Sequence, residues 1–200
     1  RGARADDDTR RRVLRKAFDA GVNWVDTAPM YGQGKSEEAL GWLLAEIEDD
    51  PILSTKVSLN TDNLDDIQGQ VEASLEQSLK RLKRSSVDVL QLHNAIKSEA
   101  GGGAVGVDDV LRKDGAADAL QRLQDQGLTK HIGITALGEN AACCEVIRSD
   151  RFASAQVYYN MINPSAAHQP GHNLPGHDFS GIIDDCAIHR VAVMAIRIFA

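Results

Sequence analysis

Apolar residues along the chain follow two alternating patterns. One has helical spacing, and it is clearest over residues 64–82, where the aliphatic side chains fall on one helical face. The other consists of short strand-like runs, rich in aliphatic and β-branched residues, as at residues 22–25 (VNWV), 52–55 (ILST) and 87–92 (VDVLQL). The patterns therefore predict strands and helices that alternate along the chain.

The predicted elements cover most of the sequence. Helices are predicted over residues 8–20, 36–44, 64–82, 108–126, 139–148 and 180–189. Strands are predicted to end at residues 26 and 56, and over residues 87–92, 131–134, 155–158 and 191–196. Asp7 or Asp8 is expected to cap the first helix and Ser36 the second, while Gly21 and Gly127 mark helix ends.

Six strands separated by helices imply parallel βα units, because a parallel pair needs a crossover and a helix is the usual one. That pattern alone permits a barrel or an open doubly wound sheet. Candidate site residues at the ends of three consecutive strands favour the barrel, since an open sheet concentrates binding where strand order reverses. We predict an α/β fold, a (β/α)8 TIM barrel with about six of its eight units visible.

Residues 1–200 are expected to form a single barrel domain that lacks the first and last barrel strands. The sequence starts at a predicted helix and stops just after a predicted strand, so we expect the natural protein to continue at both ends. Unpaired strand edges would otherwise expose backbone donors and apolar faces.

Charge, hydropathy and cysteine content limit the partners and the cellular location that the sequence predicts. The formal net charge of -7 argues against a nucleic-acid surface, because neutralising phosphates needs clustered positive charge. No run approaches the roughly 18 apolar residues of a membrane span, so no membrane partner is predicted. Three irregularly spaced cysteines, Cys143, Cys144 and Cys186, favour a reducing, cytoplasmic location, with the first two as core or boundary residues of a helix.

Four ionisable residues follow the ends of three successive predicted strands: Asp26, Tyr31, Lys56 and His93. The carboxyl ends of parallel barrel strands open onto one face, so these side chains are expected to converge. A nearby ammonium favours the ionised form of a phenol, and Lys56 can therefore activate Tyr31. Asp26 would hold the lysine in place, and His93 can hydrogen-bond a substrate oxygen. Together they would form a proton-transfer set.

The stretches around these residues resemble the aldo-keto reductases. The resemblance is carried by residues 25–32 (VDTAPMYG), 36–37, 55–57 (TKV), 78–82 (SLKRL) and 87–93 (VDVLQLH). Weaker similarity to the family's fifth, sixth and seventh strands continues at residues 133–135, 156–160 and the last predicted strand. The resemblance implies a (β/α)8 barrel that uses NADPH or NADH, of which we favour NADP(H). It also implies that the four residues above are the catalytic tetrad.

Cofactor contacts are implied by the same resemblance. Thr135 and Gln156 would lie near the nicotinamide carboxamide, with Asp26 at the same site. Many family members have an aromatic residue that stacks on the nicotinamide ring, followed by Ser. This chain has Ile196 and Arg197 at the matching positions, so an aliphatic surface would cover one face of the ring.

Three other patterns resemble ligand motifs. Residues 101–106 satisfy G-x-G-x-x-G but start eight residues after His93 instead of directly after a strand, so we predict a flexible active-site loop. Residues 34–36 end like a phosphate-binding loop whose first glycine is missing. Prolines and glycines interrupt the remaining cluster, which is predicted to be a polar surface loop without a metal: His168, His172, His177 and Asp178.

The sequence thus predicts an NAD(P)H-dependent oxidoreductase that reduces an aldehyde or ketone to an alcohol, or runs the reverse reaction. Hydride would pass between nicotinamide C4 and the carbonyl carbon while Tyr31 exchanges a proton with the oxygen. The expected partner is a small-molecule carbonyl or alcohol. Two alternatives stay open: a nucleotide-binding regulatory subunit with little or no turnover, and a barrel fragment without a function of its own.

Overall fold

The computed structural model describes residues 6–47, 49–167 and 177–199. Its strands are β1 (Trp24–Asp26), β2 (Ile52–Val57), β3 (Val87–Leu92), β4 (Ile96–Lys97), β5 (Val105–Gly106), β6 (Thr129–Thr135), β7 (Ser154–Tyr158) and β8 (Ala192–Ile196). Its helices are α1 (Asp7–Asp19), α2 (Lys35–Leu43), α3 (Ile67–Leu82), α4 (Val107–Leu111), α5 (Ala116–Asp125), α6 (Asn140–Arg148) and α7 (Ile182–Ile188). A short 3₁₀ turn, Leu64–Asp66, precedes α3.

Within these ranges, one parallel sheet has the strand order β1-β2-β3-β6-β7-β8. Strand order never reverses, as it would in an open doubly wound sheet. The sheet is also curved. In a flat sheet β7 would lie roughly 19 Å from β1, four strand spacings of about 4.8 Å, yet the Gln156 side chain on β7 contacts Asp26 on β1. The predicted α/β barrel architecture is confirmed.

Helices cover the outer face of the central strands and exclude water from it, whereas β1 and β8 at the two edges of the sheet remain partly exposed. Almost every residue of β2 and β3 is buried, because one face packs on helices and the other lines the barrel interior. The apolar face predicted for residues 64–82 packs inward, with Val71, Leu75 and Leu82 almost fully buried. Among the described helices, none is long and apolar enough to cross a membrane.

The helix predicted over residues 108–126 and the predicted cap of the first helix differ from the structure. A single helix over residues 108–126 is in fact two, α4 and α5. Asp114 between them has a left-handed φ of 60°, and a side chain on Gly115 would lie 2.6 Å from the Asp109 carbonyl oxygen. The first helix is capped by Asp6, whose carboxylate accepts from the Thr9 backbone N–H, and not by Asp7 or Asp8.

The glycine-rich segment contains regular structure. Val105–Gly106 forms β5, which pairs in parallel with β4. The Asn94 side chain donates to the Gly103 carbonyl oxygen at 3.2 Å. Hydrogen bonds to the main chain therefore hold part of the loop that follows β3. Of the predicted polar histidine loop, His168 and His172 lie outside the described residues, while His177 and Asp178 are exposed.

Candidate active site

Three of the four candidate residues make direct contact at the carboxyl edge of the sheet. Lys56 Nζ lies 2.6 Å from Asp26 Oδ2 and 3.3 Å from the hydroxyl oxygen of Tyr31. It also donates to the Thr27 carbonyl oxygen at 2.8 Å. The Asp26–Lys56 ion pair expected from the sequence is present, within reach of the Tyr31 hydroxyl.

The Lys56 side chain is fully buried, whereas 28% of the Asp26 side chain and 40% of Tyr31 remain exposed. An ammonium group has three N–H donors, and the three acceptors around Lys56 match that number. One of them is a carboxylate, which compensates the buried charge. The ammonium is therefore fixed beside a phenol that solvent and ligands can reach.

Neutral donors hold the other oxygen of Asp26. Ser54 Oγ donates to Asp26 Oδ1 at 2.7 Å, and Gln156 Nε2 donates to the same oxygen at 2.9 Å. The indole N–H of Trp24 donates to Ser54 Oγ at 3.0 Å. Sequence reasoning missed Ser54, although a period of two along a strand places it on the same face as Lys56. The alternation of side chains along β2 could therefore have identified Ser54 as a residue of the candidate site.

His93 completes the group from the end of β3. Its ring is perpendicular to the Tyr31 ring, with 6.0 Å between the ring centres. Burial and the positive charge of Lys56 lower the pKa of His93, and Asp26 partly opposes that shift. The imidazole is therefore neutral near pH 7. Its buried Nδ1 has no hydrogen-bond partner among the described residues.

Tyr31 lies in the connection from β1 to α2, and a side-chain contact closes the base of this connection. The hydroxyls of Thr27 and Ser36 lie 2.8 Å apart. The prediction that Ser36 caps α2 is wrong, because the N-cap is Gly34 and Ser36 bonds to Thr27 instead. The short, closed connection limits where the Tyr31 ring can lie.

The residues implied as cofactor contacts lie at the same edge of the sheet. Gln156 reaches Asp26, as described above, whereas the Thr135 hydroxyl donates to the Leu92 carbonyl oxygen at 3.1 Å. Ile196 ends β8 and pairs with Tyr158. The Arg197 guanidinium carbon lies 5.5 Å from the centre of the Tyr158 ring. Of the residues implied as cofactor contacts, Gln156 therefore contacts the candidate active site directly through Asp26, whereas Arg197 contacts Tyr158.

Comparison with known proteins gives a family match. The family model described as "Aldo/keto reductase family" matches residues 1–176. L-galactose dehydrogenase of Arabidopsis thaliana is 35% identical over 139 residues, which cover 68% of this chain and 40% of that protein. D-threo-aldose 1-dehydrogenase of a Pseudomonas species is 30% identical over 219 residues, covering 96% of this chain and 60% of that protein. The chain spans about half the length of the curated relatives it matches.

Solved structures show the same fold. An aldo-keto reductase from Klebsiella pneumoniae, in complex with NADPH, superposes with a TM-score of 0.71 at 20% identity, over 96% of this chain and 58% of that one. A glycerol dehydrogenase from Gluconobacter oxydans gives a TM-score of 0.70 at 24% identity, over 97% and 54% of the two chains. With the family match over most of its length, this chain belongs to the aldo/keto reductase family.

Proposed function

We propose that the protein is an NAD(P)H-dependent oxidoreductase that reduces an aldehyde or ketone to an alcohol, or catalyses the reverse reaction. Tyr31 is the general acid in reduction and the general base in oxidation. The observation that carries the proposal is the position of the buried Lys56 ammonium, 3.3 Å from the Tyr31 hydroxyl and paired with Asp26. The family relationship supports the same class of reaction.

The fixed ammonium would stabilise the phenolate that proton transfer from Tyr31 creates. In reduction, Tyr31 gives its hydroxyl proton to the carbonyl oxygen, and a phenolate is left behind. The positive charge of Lys56 stabilises that phenolate, and Asp26 keeps the charge in place. In oxidation, the same phenolate takes the proton back from the alcohol. A positioned acid or base of this kind contributes roughly 10²–10⁴-fold in rate.

His93 orients the substrate in this scheme. Its lowered pKa keeps the imidazole neutral, so one ring nitrogen carries a hydrogen and can donate to the carbonyl oxygen that Tyr31 protonates. The two rings are neighbours, with 6.0 Å between their centres, so one carbonyl oxygen could lie within reach of both polar groups. His93 thus positions and polarises the carbonyl, and Tyr31 supplies the proton.

The donor set at the carboxyl edge fits a nicotinamide dinucleotide. The Thr135 hydroxyl and the Gln156 amide group donate to protein acceptors, so their oxygens would accept from a carboxamide N–H, and Ile196 at the end of β8 would supply an aliphatic side chain. Arg197, exposed beside Tyr158, can attract a phosphate group of the cofactor. When bound, such a cofactor supplies the hydride that goes to the carbonyl carbon. We favour NADP(H) over NAD(H), and the Klebsiella protein of the same fold is recorded with NADPH.

A turnover assay tests the proposal directly. The full-length protein is incubated with a panel of aldehydes and either NADPH or NADH, and oxidation of the nicotinamide is followed by its absorbance. We expect turnover with at least one aldehyde and faster turnover with NADPH. Tight binding of the nucleotide without turnover of any aldehyde or alcohol would contradict the proposal and favour the regulatory-subunit alternative.

A further inference from the structure

A buried ion pair joins the helix that follows Tyr31 to the next helix along the barrel. Glu37, in the first turn of α2, is fully buried, and Arg81 of α3 donates from Nε to Glu37 Oε2 at 2.7 Å. The Thr55 hydroxyl donates to the other carboxylate oxygen, Oε1, at 2.6 Å. Both oxygens of Glu37 therefore have partners, one on a helix and one on β2.

This ion pair lies directly behind the candidate active site. Thr55 and Lys56 are consecutive residues of β2, so their side chains point to opposite faces of the sheet. Thr55 meets Glu37 on the helix side, while Lys56 meets Tyr31 in the barrel interior. Glu37 thereby ties the start of α2 to the strand that carries Lys56.

The residues that follow Tyr31 adopt a backbone conformation that the surrounding structure must hold in place. Gly32, Gln33 and Gly34 all have positive φ values, 62°, 56° and 86°. A left-handed conformation at a residue with a side chain, here Gln33, costs energy and persists only when the surrounding structure imposes it. Arg81 also packs on this segment, because a Cβ atom on Gly34 would lie 2.8 Å from Arg81 Cδ.

Stability alone is a poor explanation for this pair. Replacing a buried ion pair by apolar residues of similar volume is often neutral or stabilising, because the desolvation of two charges offsets their attraction. A fixed carboxylate with two directed hydrogen bonds does specify one relative position of α2, α3 and β2. We propose that Glu37 and Arg81 are positioning residues that set the distance between the Tyr31 hydroxyl and Lys56 Nζ. The inference rests on the proposed role of Tyr31 as acid and base.

The first test is Glu37→Gln in the full-length enzyme. The amide nitrogen cannot accept from the Thr55 hydroxyl, so that hydrogen bond must reverse, and the charge attraction to Arg81 is lost; both contacts that fix α2 are therefore weakened while the side-chain volume is kept. We expect the single-turnover rate of aldehyde reduction to fall on the order of 10- to 100-fold, as a misplacement of about 1 Å can cost 10²-fold. Cofactor affinity and melting temperature should stay close to wild type. The matched control is Glu76→Gln, which breaks the exposed Glu76–Lys80 pair of α3 and should change none of the three.

The deciding test combines Glu37→Gln with Tyr31→Phe. If Glu37 acts through Tyr31, Glu37→Gln should not reduce the single-turnover rate any further in a protein that already carries Tyr31→Phe, because the effects of two residues that act together are not additive. An equal fractional loss with and without the Tyr31 hydroxyl would instead indicate a merely structural role and overturn the inference. If Glu37→Gln lowers the melting temperature strongly, Thr55→Val is used in its place, because it removes only the hydroxyl from which Glu37 accepts a hydrogen bond. We expect Thr55→Val to reduce the single-turnover rate less than Glu37→Gln does. That reduction should also disappear when Thr55→Val is combined with Tyr31→Phe.

The outcomes separate this inference from the proposed function. Loss of turnover in Tyr31→Phe, with wild-type turnover in both Glu37→Gln and Thr55→Val, would overturn the positioning role and leave the function of Tyr31 in place. Absence of turnover in wild type, or turnover that Tyr31→Phe does not change, would overturn the proposed function and this inference with it.

Discussion

The Ser54 hydroxyl donates to Asp26 Oδ1 at 2.7 Å, on the carboxylate oxygen that Lys56 does not contact. Trp24 donates to Ser54 in turn, and Gln156 donates to the same carboxylate oxygen across the barrel interior. The two oxygens of Asp26 thus have different partners. Neutral donors fix the orientation of one, and the other faces the ammonium.

Ser54→Ala should therefore weaken catalysis without abolishing it. Asp26 loses one hydrogen bond but keeps Gln156 and Lys56, and a hydrogen bond to a charged group contributes about 1.5–3 kcal/mol. If about half of that difference reaches the transition state, kcat/KM falls roughly 3- to 12-fold. The measurement is steady-state aldehyde reduction, with Ser98→Ala as control because the Ser98 hydroxyl also donates to a carboxylate, that of the exposed Glu139. Equal losses in the two variants would contradict a specific role for Ser54.

The order of elements could be predicted because hydrophobic patterns report burial. The strand-like run at residues 87–92 (VDVLQL), in which four of six residues are apolar, matches β3 (Val87–Leu92), and nearly all of its residues are buried. The break between α4 and α5 was missed although a signal exists, since Asp114-Gly115 is a dipeptide typical of turns and follows the charged pair Arg112-Lys113. Helix ends depend on local backbone geometry, which periodicity does not report.

In the candidate site, too, some residues could be predicted from the sequence and others could not. Asp26 and Lys56 follow strand ends, so barrel topology predicts that they meet, and they form an ion pair in the structure. Glu37 and Arg81 could not be assigned in this way, because a charged residue on an amphipathic helix is normally expected at the surface. Their contact depends on how α2 packs against α3, which is a tertiary relationship between distant residues.

The pKa of His93 gives a prediction about stability and pH. Burial, followed by the charge of Lys56, lowers this pKa in the folded protein, so the unfolded chain binds the proton more readily. Stability therefore rises with pH wherever the unfolded state holds more protons. The contribution is fully present above the unfolded value near ~6.5, and it is lost as the pH falls through the folded value.

His93→Gln should remove this dependence. Urea midpoints of wild type and variant, measured in steps from pH 7.5 to about 5, should fall more steeply with decreasing pH in the wild type. His189→Gln is the control, because the His189 ring contacts the exposed carboxylate of Asp150 and neither residue belongs to the candidate active site. Parallel pH profiles of wild type and His93→Gln would contradict a lowered pKa at His93.

The three cysteines should be unreactive in the folded protein. Burial raises the pKa of Cys143 and Cys144 to about 12 and that of Cys186 to about 11, and all three side chains are buried. The thiolate is the reactive form, so almost none is present at pH 8. A disulfide-exchange reagent should modify these residues only after denaturant is added, as peptide mass mapping can show. Rapid labelling of any of them in the native protein would contradict their burial.

The central claim is that Tyr31 exchanges the proton and Lys56 makes this possible. Tyr31→Phe removes the acid but keeps the ring, so aldehyde reduction should fall roughly 10²–10⁴-fold while nucleotide affinity stays nearly unchanged. Lys56→Met removes the ammonium that lies 3.3 Å from the Tyr31 hydroxyl oxygen. We expect it to reduce the rate of aldehyde reduction about as much as Tyr31→Phe does.

The most direct measurement pairs steady-state turnover with nucleotide binding by fluorescence for wild type, Tyr31→Phe and Lys56→Met. The account predicts active wild type, two nearly inactive variants and similar nucleotide affinity for wild type and Tyr31→Phe. Turnover that neither substitution reduces would contradict it.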